Sequence, residues 1–140
     1  MSTLLFILLL SLPVSAPTQR ALYIEQAEPI RPYEVIWNAT CKVESNFNPH
    51  AIGDKNLKDW SYGISQIRQS RLDDFHRRTG IRYTTTEMLD PEKAKIVFMH
   101  YACDYHPSDN ERISRCWNGG TKGMQKKATV KYYLKILKSI

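Results

Sequence analysis

The chain has 140 residues, 42% of them hydrophobic and 24% charged, with 20 Lys and Arg against 14 Asp and Glu for a formal net charge of +6. This is the composition of one ordinary globular domain, which excludes a disordered or collagen-like chain, and its three Cys exclude a disulfide-dense mini-protein. The positive balance calls for an anionic partner: nucleic acid, a membrane surface or an acidic polymer such as a cell wall.

Residues 1–19 contain no charged side chain. The apolar run from Leu4 to Leu10, closed by Val14-Ser15-Ala16, reads as a secretory signal peptide over residues 1–16, with an uncleaved N-terminal anchor as the alternative. The run is too short for a comfortable membrane span. Either reading exports the rest of the chain, to the periplasm or outside the cell, and argues against nucleic acid as the partner. Residues 17–31 read as a linker, and a single domain follows over 32–140.

Five helices are expected in that domain. The first begins near Pro32, carries Tyr33, Ile36, Trp37, Thr40 and Cys41 at helical intervals, and stops at Asn48-Pro49. A long polar loop, 50–60, comes next. The second helix is expected from Ser70, capped with the help of Asp73 and stopped by Gly80. The third starts at Asp90-Pro91 and aligns Ala94, Val97, Phe98, Tyr101, Ala102 and Tyr105. Ser108 with Glu111 suggests a capping box for a fourth, which carries Ile113, Cys116 and Trp117 to a stop at Asn118-Gly119-Gly120. The last runs from about Thr129, with Val130, Tyr133, Leu134 and Leu137 expected on one face and Lys131, Lys135 and Lys138 on another. Strand signals are sparse; the best candidate is 81–85, with a loop as the alternative. This is a mainly α protein.

Glu44 lies on the face of Trp37 and Cys41, which are spaced by four and three residues along it. A carboxyl group that continues an apolar stripe at a helix C-terminus is disfavoured in its ionised form by desolvation and by the helix dipole. Such an acid suits proton donation near neutral pH. His50, His76, His100 and His106 show no ligand spacing, so neither metal nor cofactor is expected. Cys41, Cys103 and Cys116 allow one disulfide in three pairings, or buried free thiols. Arg68, Arg71, Arg77, Arg78 and Arg82 read as a solvated basic face, and Trp60, Tyr62 and Trp117 as sugar-stacking candidates, Trp117 equally as core.

The string Glu44-Ser45-Asn46-Phe47-Asn48-Pro49 leads to Ser61-Tyr62-Gly63-Ile64-Ser65-Gln66, then to Cys116-Trp117-Asn118-Gly119-Gly120 and Thr129-Val130-Lys131-Tyr132. In that order these resemble the motifs of the lysozyme-like lytic transglycosylases, the soluble-lytic-transglycosylase (SLT) domain family. Ser65 stands where that family usually has Met, and Trp117 where it has Tyr. The resemblance implies a lysozyme-like fold with a cleft between helices and cleavage of the β-1,4 bond of peptidoglycan to a 1,6-anhydromuramoyl product. Glu44 would be the catalytic acid and then base, with Tyr132 bonded to it. Ser45, Tyr62, Gly63, Gln66 and Asn118 would contact substrate, Gly63 and Gly119 by letting backbone approach the glycan. Hydrolysis by the same fold, with Asp54 or Asp59 as a second carboxylate, and a non-catalytic wall-binding factor are the alternatives. The implied partners are glycan strands and a membrane-associated secretion, conjugation or phage machinery, and the implied state is a monomer.

Overall fold

The computed structural model describes residues 31–105 and 109–140; the expected leader and nearly all of the linker lie outside them. Helix α1, Arg31–Ser45, buries Ile36, Trp37, Ala39, Thr40 and Cys41. The Thr40 hydroxyl satisfies itself on the Ile36 carbonyl at 2.8 Å, so a polar side chain sits in the core without loss. The helix stops short of Asn48-Pro49, because Asn46 and Phe47 take left-handed backbones with φ of 53° and 63°.

The stretch read as a long polar loop contains the first strand of a small antiparallel sheet that continues past it in the order β1-β2-β3: β1 Ile52–Gly53, β2 Ser61–Tyr62 and β3 Ile67–Arg68. Ile52 pairs with Tyr62, and Tyr62 with Ile67. Of the two readings of 81–85 the loop holds: those residues form no strand and lead into a 3-10 turn, Thr86–Leu89, that buries Met88.

Helix α2, Gln69–Thr79, ends at Gly80 with φ 76°, as its composition requires. Its start differs from expectation. Asp59, from the sheet's connecting loop, accepts the Gln69 N–H at 2.9 Å and the Ser70 N–H at 3.2 Å. Burial raises the Asp59 carboxyl, but the Ser70 hydroxyl and these backbone donors outweigh it and hold it below its ordinary value. A distant aspartate thus does the work expected of a local capping box, whose Asp73 instead accepts from the Gln69 side chain.

Helix α3, Pro91–Tyr105, buries Ala94, Val97, Phe98, Tyr101 and Ala102; the Tyr105 side chain is outside the described residues. Phe98 is the hub of the core, 5.2 Å from the Trp37 ring and 4.9 Å from that of Trp117. Helix α4, Asn110–Gly119, is capped by Asp109, which accepts the Arg112 N–H. Ser108 is not among the described residues, and Glu111 pairs with Arg115 rather than closing a capping box. A second 3-10 turn, Gly123–Gln125, leads to α5, Lys127–Leu137. Cys41, Cys103 and Cys116 are free thiols, and burial pushes that of Cys41 up to about 12.

The apolar row read on α5 is not the helix's buried face. Its buried residues are Thr129, Tyr132 and Ile136, while Val130, Leu134 and Leu137 stay 38%, 52% and 47% exposed. Hydrogen bonds decide this rotation. Thr129 donates to the Gly123 carbonyl at 2.7 Å and accepts from the buried Arg115, and Tyr132 reaches Glu44. Turning the leucines inward would break all three.

Candidate active site

A cleft of about 760 Å³ opens between the sheet and helices α1 to α4. Glu44 enters it from the last turn of α1, Gln66 and Arg68 from β3 and the turn before it, and Asp54 from just after β1. Helix α2 contributes Arg71, Asp74, Arg77 and Arg78, and Trp117 and Asn118 come from α4.

Glu44 is half-buried, and the Tyr132 hydroxyl donates to its Oε1 at 2.7 Å. Burial raises the Glu44 carboxyl above its ordinary value; the Tyr132 hydrogen bond and the Arg71 charge oppose this, and the Asp54 charge adds to it. Burial and the neighbouring carboxylate push the Tyr132 phenol well above its ordinary range, so it remains the donor. The pair makes an acid that can give up a proton and take one back while one oxygen is held in place.

The backbone around the cleft is strained. Among the described residues, the four non-glycine residues at positive φ are Asn46 and Phe47, just after Glu44, with Asp54 at 54° and Gln66 at 53°, both lining the cleft. Left-handed backbone at such positions costs about 1–3 kcal/mol each and persists only where the surroundings hold it. Here Gln66 is the brace. Its Nε2 donates to the carbonyls of Gly63 at 2.8 Å and Ala51 at 3.2 Å, and its Oε1 lies 2.7 Å from the Ser61 hydroxyl. Its amide is thus occupied by two backbone carbonyls and the Ser61 hydroxyl.

Ser45, Tyr62 and Gly63 do not line the cleft. The Ser45 hydroxyl donates to the Ile64 carbonyl at 2.8 Å, tying the end of α1, and Glu44 with it, to the sheet. Tyr62 packs against the core. Gly63, at φ 76°, is needed because a Cβ there would lie 1.8 Å from the Met88 carbonyl oxygen, and Gly119 because its Cβ would meet Thr129 at 2.6 Å. Internal packing alone therefore requires a residue without Cβ at both positions.

The arginine group is not a plain solvated face. Arg68, Arg71, Arg77 and Arg78 line the cleft. Arg68 pairs with Asp54 at 2.8 Å, and Arg77 and Arg78 with Asp74 at 2.9 and 2.7 Å. Arg71 stacks over Trp117 at 4.1 Å and Tyr101 at 4.8 Å and donates to the Trp117 carbonyl at 2.6 Å. Trp117 is therefore core on one side and covered by a guanidinium on the other, while Trp60 is exposed and outside the cleft lining. Asp74 and Tyr101 escape sequence reading. Asp74 sits among charges on an exposed-looking helix, and Tyr101 reads as core although its hydroxyl donates to Asp74 at 2.7 Å.

Tyr132→Phe removes a donor that favours ionised Glu44. The Glu44 carboxyl should then titrate at still higher pH, read by NMR of the side-chain carboxyl. Thermal unfolding should report a loss of about 1 kcal/mol.

The family model described as Transglycosylase SLT domain matches residues 24–134. A search of curated proteins finds no match. Among solved structures, a chain in the crystal structure of Aeromonas hydrophila PliI in complex with Meretrix lusoria lysozyme is similar, with a TM-score of 0.63 and 23% identity, covering 75% of this chain and 88% of that one. At that identity the likeness shows the fold alone.

Proposed function

The chain belongs to the Transglycosylase SLT domain family, and from that premise we propose that it is a peptidoglycan lytic transglycosylase acting outside the cytoplasm, with Glu44 as its catalytic acid and base. The observation that carries the reading is the state of Glu44: half-buried in a cleft, raised by that burial and held by Tyr132. In the proposed reaction the protonated Glu44 gives its proton to the glycosidic oxygen between N-acetylmuramic acid and N-acetylglucosamine. The substrate's own N-acetyl group stabilises the developing cation at C1. The ionised Glu44 then accepts the proton of the muramoyl C6 hydroxyl, whose oxygen closes on C1 as a 1,6-anhydro ring. No water is consumed. Asn118, exposed at the cleft edge, holds the glycan near the scission point, and Gln66 keeps the facing wall in shape.

One observation favours a second reading. Asp54 lines the same cleft, and its charge reaches Glu44. A second carboxylate supports hydrolysis when it can hold a nucleophilic water or attack C1, at separations of about 5–9.5 Å. Asp54 is engaged, however: Arg68 and the Ser61 hydroxyl both lie on its Oδ2, at 2.8 and 2.9 Å. Asp59 is spent as a helix cap.

Mass spectrometry of digested cell wall separates the two. Anhydromuramoyl ends, lighter by one water than reducing ends, are expected, and Asp54→Asn should leave their identity unchanged. Reducing ends in their place, lost in Asp54→Asn, would establish the hydrolase instead.

A further inference from the structure

The charge of this chain is unevenly spread. Residues 112–140 hold eight Lys and Arg and no Asp or Glu, whereas residues 1–111 hold twelve against fourteen. The entire positive excess therefore belongs to the C-terminal segment, and α5 displays it. Lys127, Lys131, Lys135 and Lys138 recur four, four and three residues apart and are all exposed. Among the described residues, none of these four is ion-paired to a carboxylate.

Beside that row runs a second one. Val130, Leu134 and Leu137, four and three apart, lie between the lysines and the buried face, and Ile140 beyond the helix is 60% exposed. Scattered exposed leucines need no explanation, but an aligned apolar row next to an unneutralised lysine row is a patterned surface. A soluble acidic polymer would satisfy the lysines and leave the leucines in water. A bilayer carrying anionic headgroups satisfies both, since phosphates meet the ammonium groups while the short apolar side chains enter the headgroup boundary.

We propose that the outward face of α5 is a docking surface for an anionic lipid bilayer, with the helix lying in the plane of the membrane. No helix among the described residues is long and apolar enough to cross a membrane, and an in-plane helix has no such requirement. The surface is independent of the cleft chemistry, because Tyr132, which reaches Glu44, projects from the opposite side of the same helix.

The test is co-sedimentation of the full chain with vesicles of phosphatidylcholine alone and of an equal mixture with phosphatidylglycerol. The apolar N-terminal run has no charged side chain, so partition through it does not distinguish the two vesicle types. Binding is expected to favour the anionic vesicles strongly. It should fall about thirty-fold in Lys131→Gln/Lys135→Gln and about tenfold in Leu134→Ser/Leu137→Ser. Both pairs are exposed, so unchanged thermal unfolding is expected to accompany the loss. Equal binding to both vesicles, or none to either, overturns the proposal. So does a lysine variant that loses binding while the leucine variant keeps it, which would mark an acidic polymer or protein as the occupant.

Discussion

Glu44→Gln should lower cleavage of cell-wall glycan by about 10²–10⁴-fold while the protein stays folded. Gln is nearly the same size and keeps a carbonyl oxygen to accept the Tyr132 hydroxyl, so the 2.7 Å contact can persist. What it lacks is a proton to give and a site to take one back. The same variant carries a stability signature. Burial raises the Glu44 carboxyl in the folded state, so the native protein binds that proton more tightly than the unfolded chain does. Native stability is therefore lost as pH climbs from the unfolded carboxyl range through the raised folded value. The glutamine variant has no such loss. Its melting temperature should match the parent's in acid and exceed it at neutral pH, as followed by calorimetry across pH. Cleavage persisting at the parent's rate in Glu44→Gln would sink the catalytic assignment.

Gly63→Ala should destabilise the domain by about 3 kcal/mol or more, a fall in melting temperature of about 10 °C or more. Two penalties combine at this position. The backbone sits at φ 76°, and the added Cβ would lie 1.8 Å from the Met88 carbonyl oxygen and 2.7 Å from its carbon. Neither is the end of a flexible side chain, so the backbone of the turn around Met88 or of the sheet must shift. Gly80 offers the control. It has the same φ of 76°, but a Cβ there would meet nothing within 4 Å, so Gly80→Ala should cost only about 1 kcal/mol for the left-handed conformation. Equal losses at the two sites would mean that conformation alone, and not the close approach of Met88, makes Gly63 necessary.

The helices are legible in the sequence because their signals are local. Pro91, Gly80 and the spacing of Ala94, Val97, Phe98 and Tyr101 each state an element within a few residues. The sheet is not, because strands of two residues have no alternation to read, and what holds them is a set of side-chain contacts through Gln66, Ser61 and Asp54 that no period or cap signals. The cap of α2 is hidden for the same reason, as Asp59 lies ten residues before the first N–H it accepts. The rotation of α5 misleads because hydrophobic periodicity assumes that leucines displace a threonine and a tyrosine from the interior. Here Thr129 and Tyr132 arrive with their hydrogen bonds satisfied, so burying them is inexpensive. At the cleft, Glu44 and Tyr132 can be paired through a family resemblance, but no spacing rule brings Asp74 and Tyr101 together in its lining.

The bond between Tyr132 and Glu44 joins residues 88 positions apart. Closing so long a loop is slow compared with forming any one helix. While the chain emerges from the ribosome, Glu44 is made well before the partner that orients it. A growing chain therefore carries its acid without the phenol, and a chain truncated anywhere before residue 132 never acquires it. The order of synthesis delays completion of the pair until α5 has docked, so in a nascent or clipped copy Glu44 is expected to lack the partner that holds its Oε1.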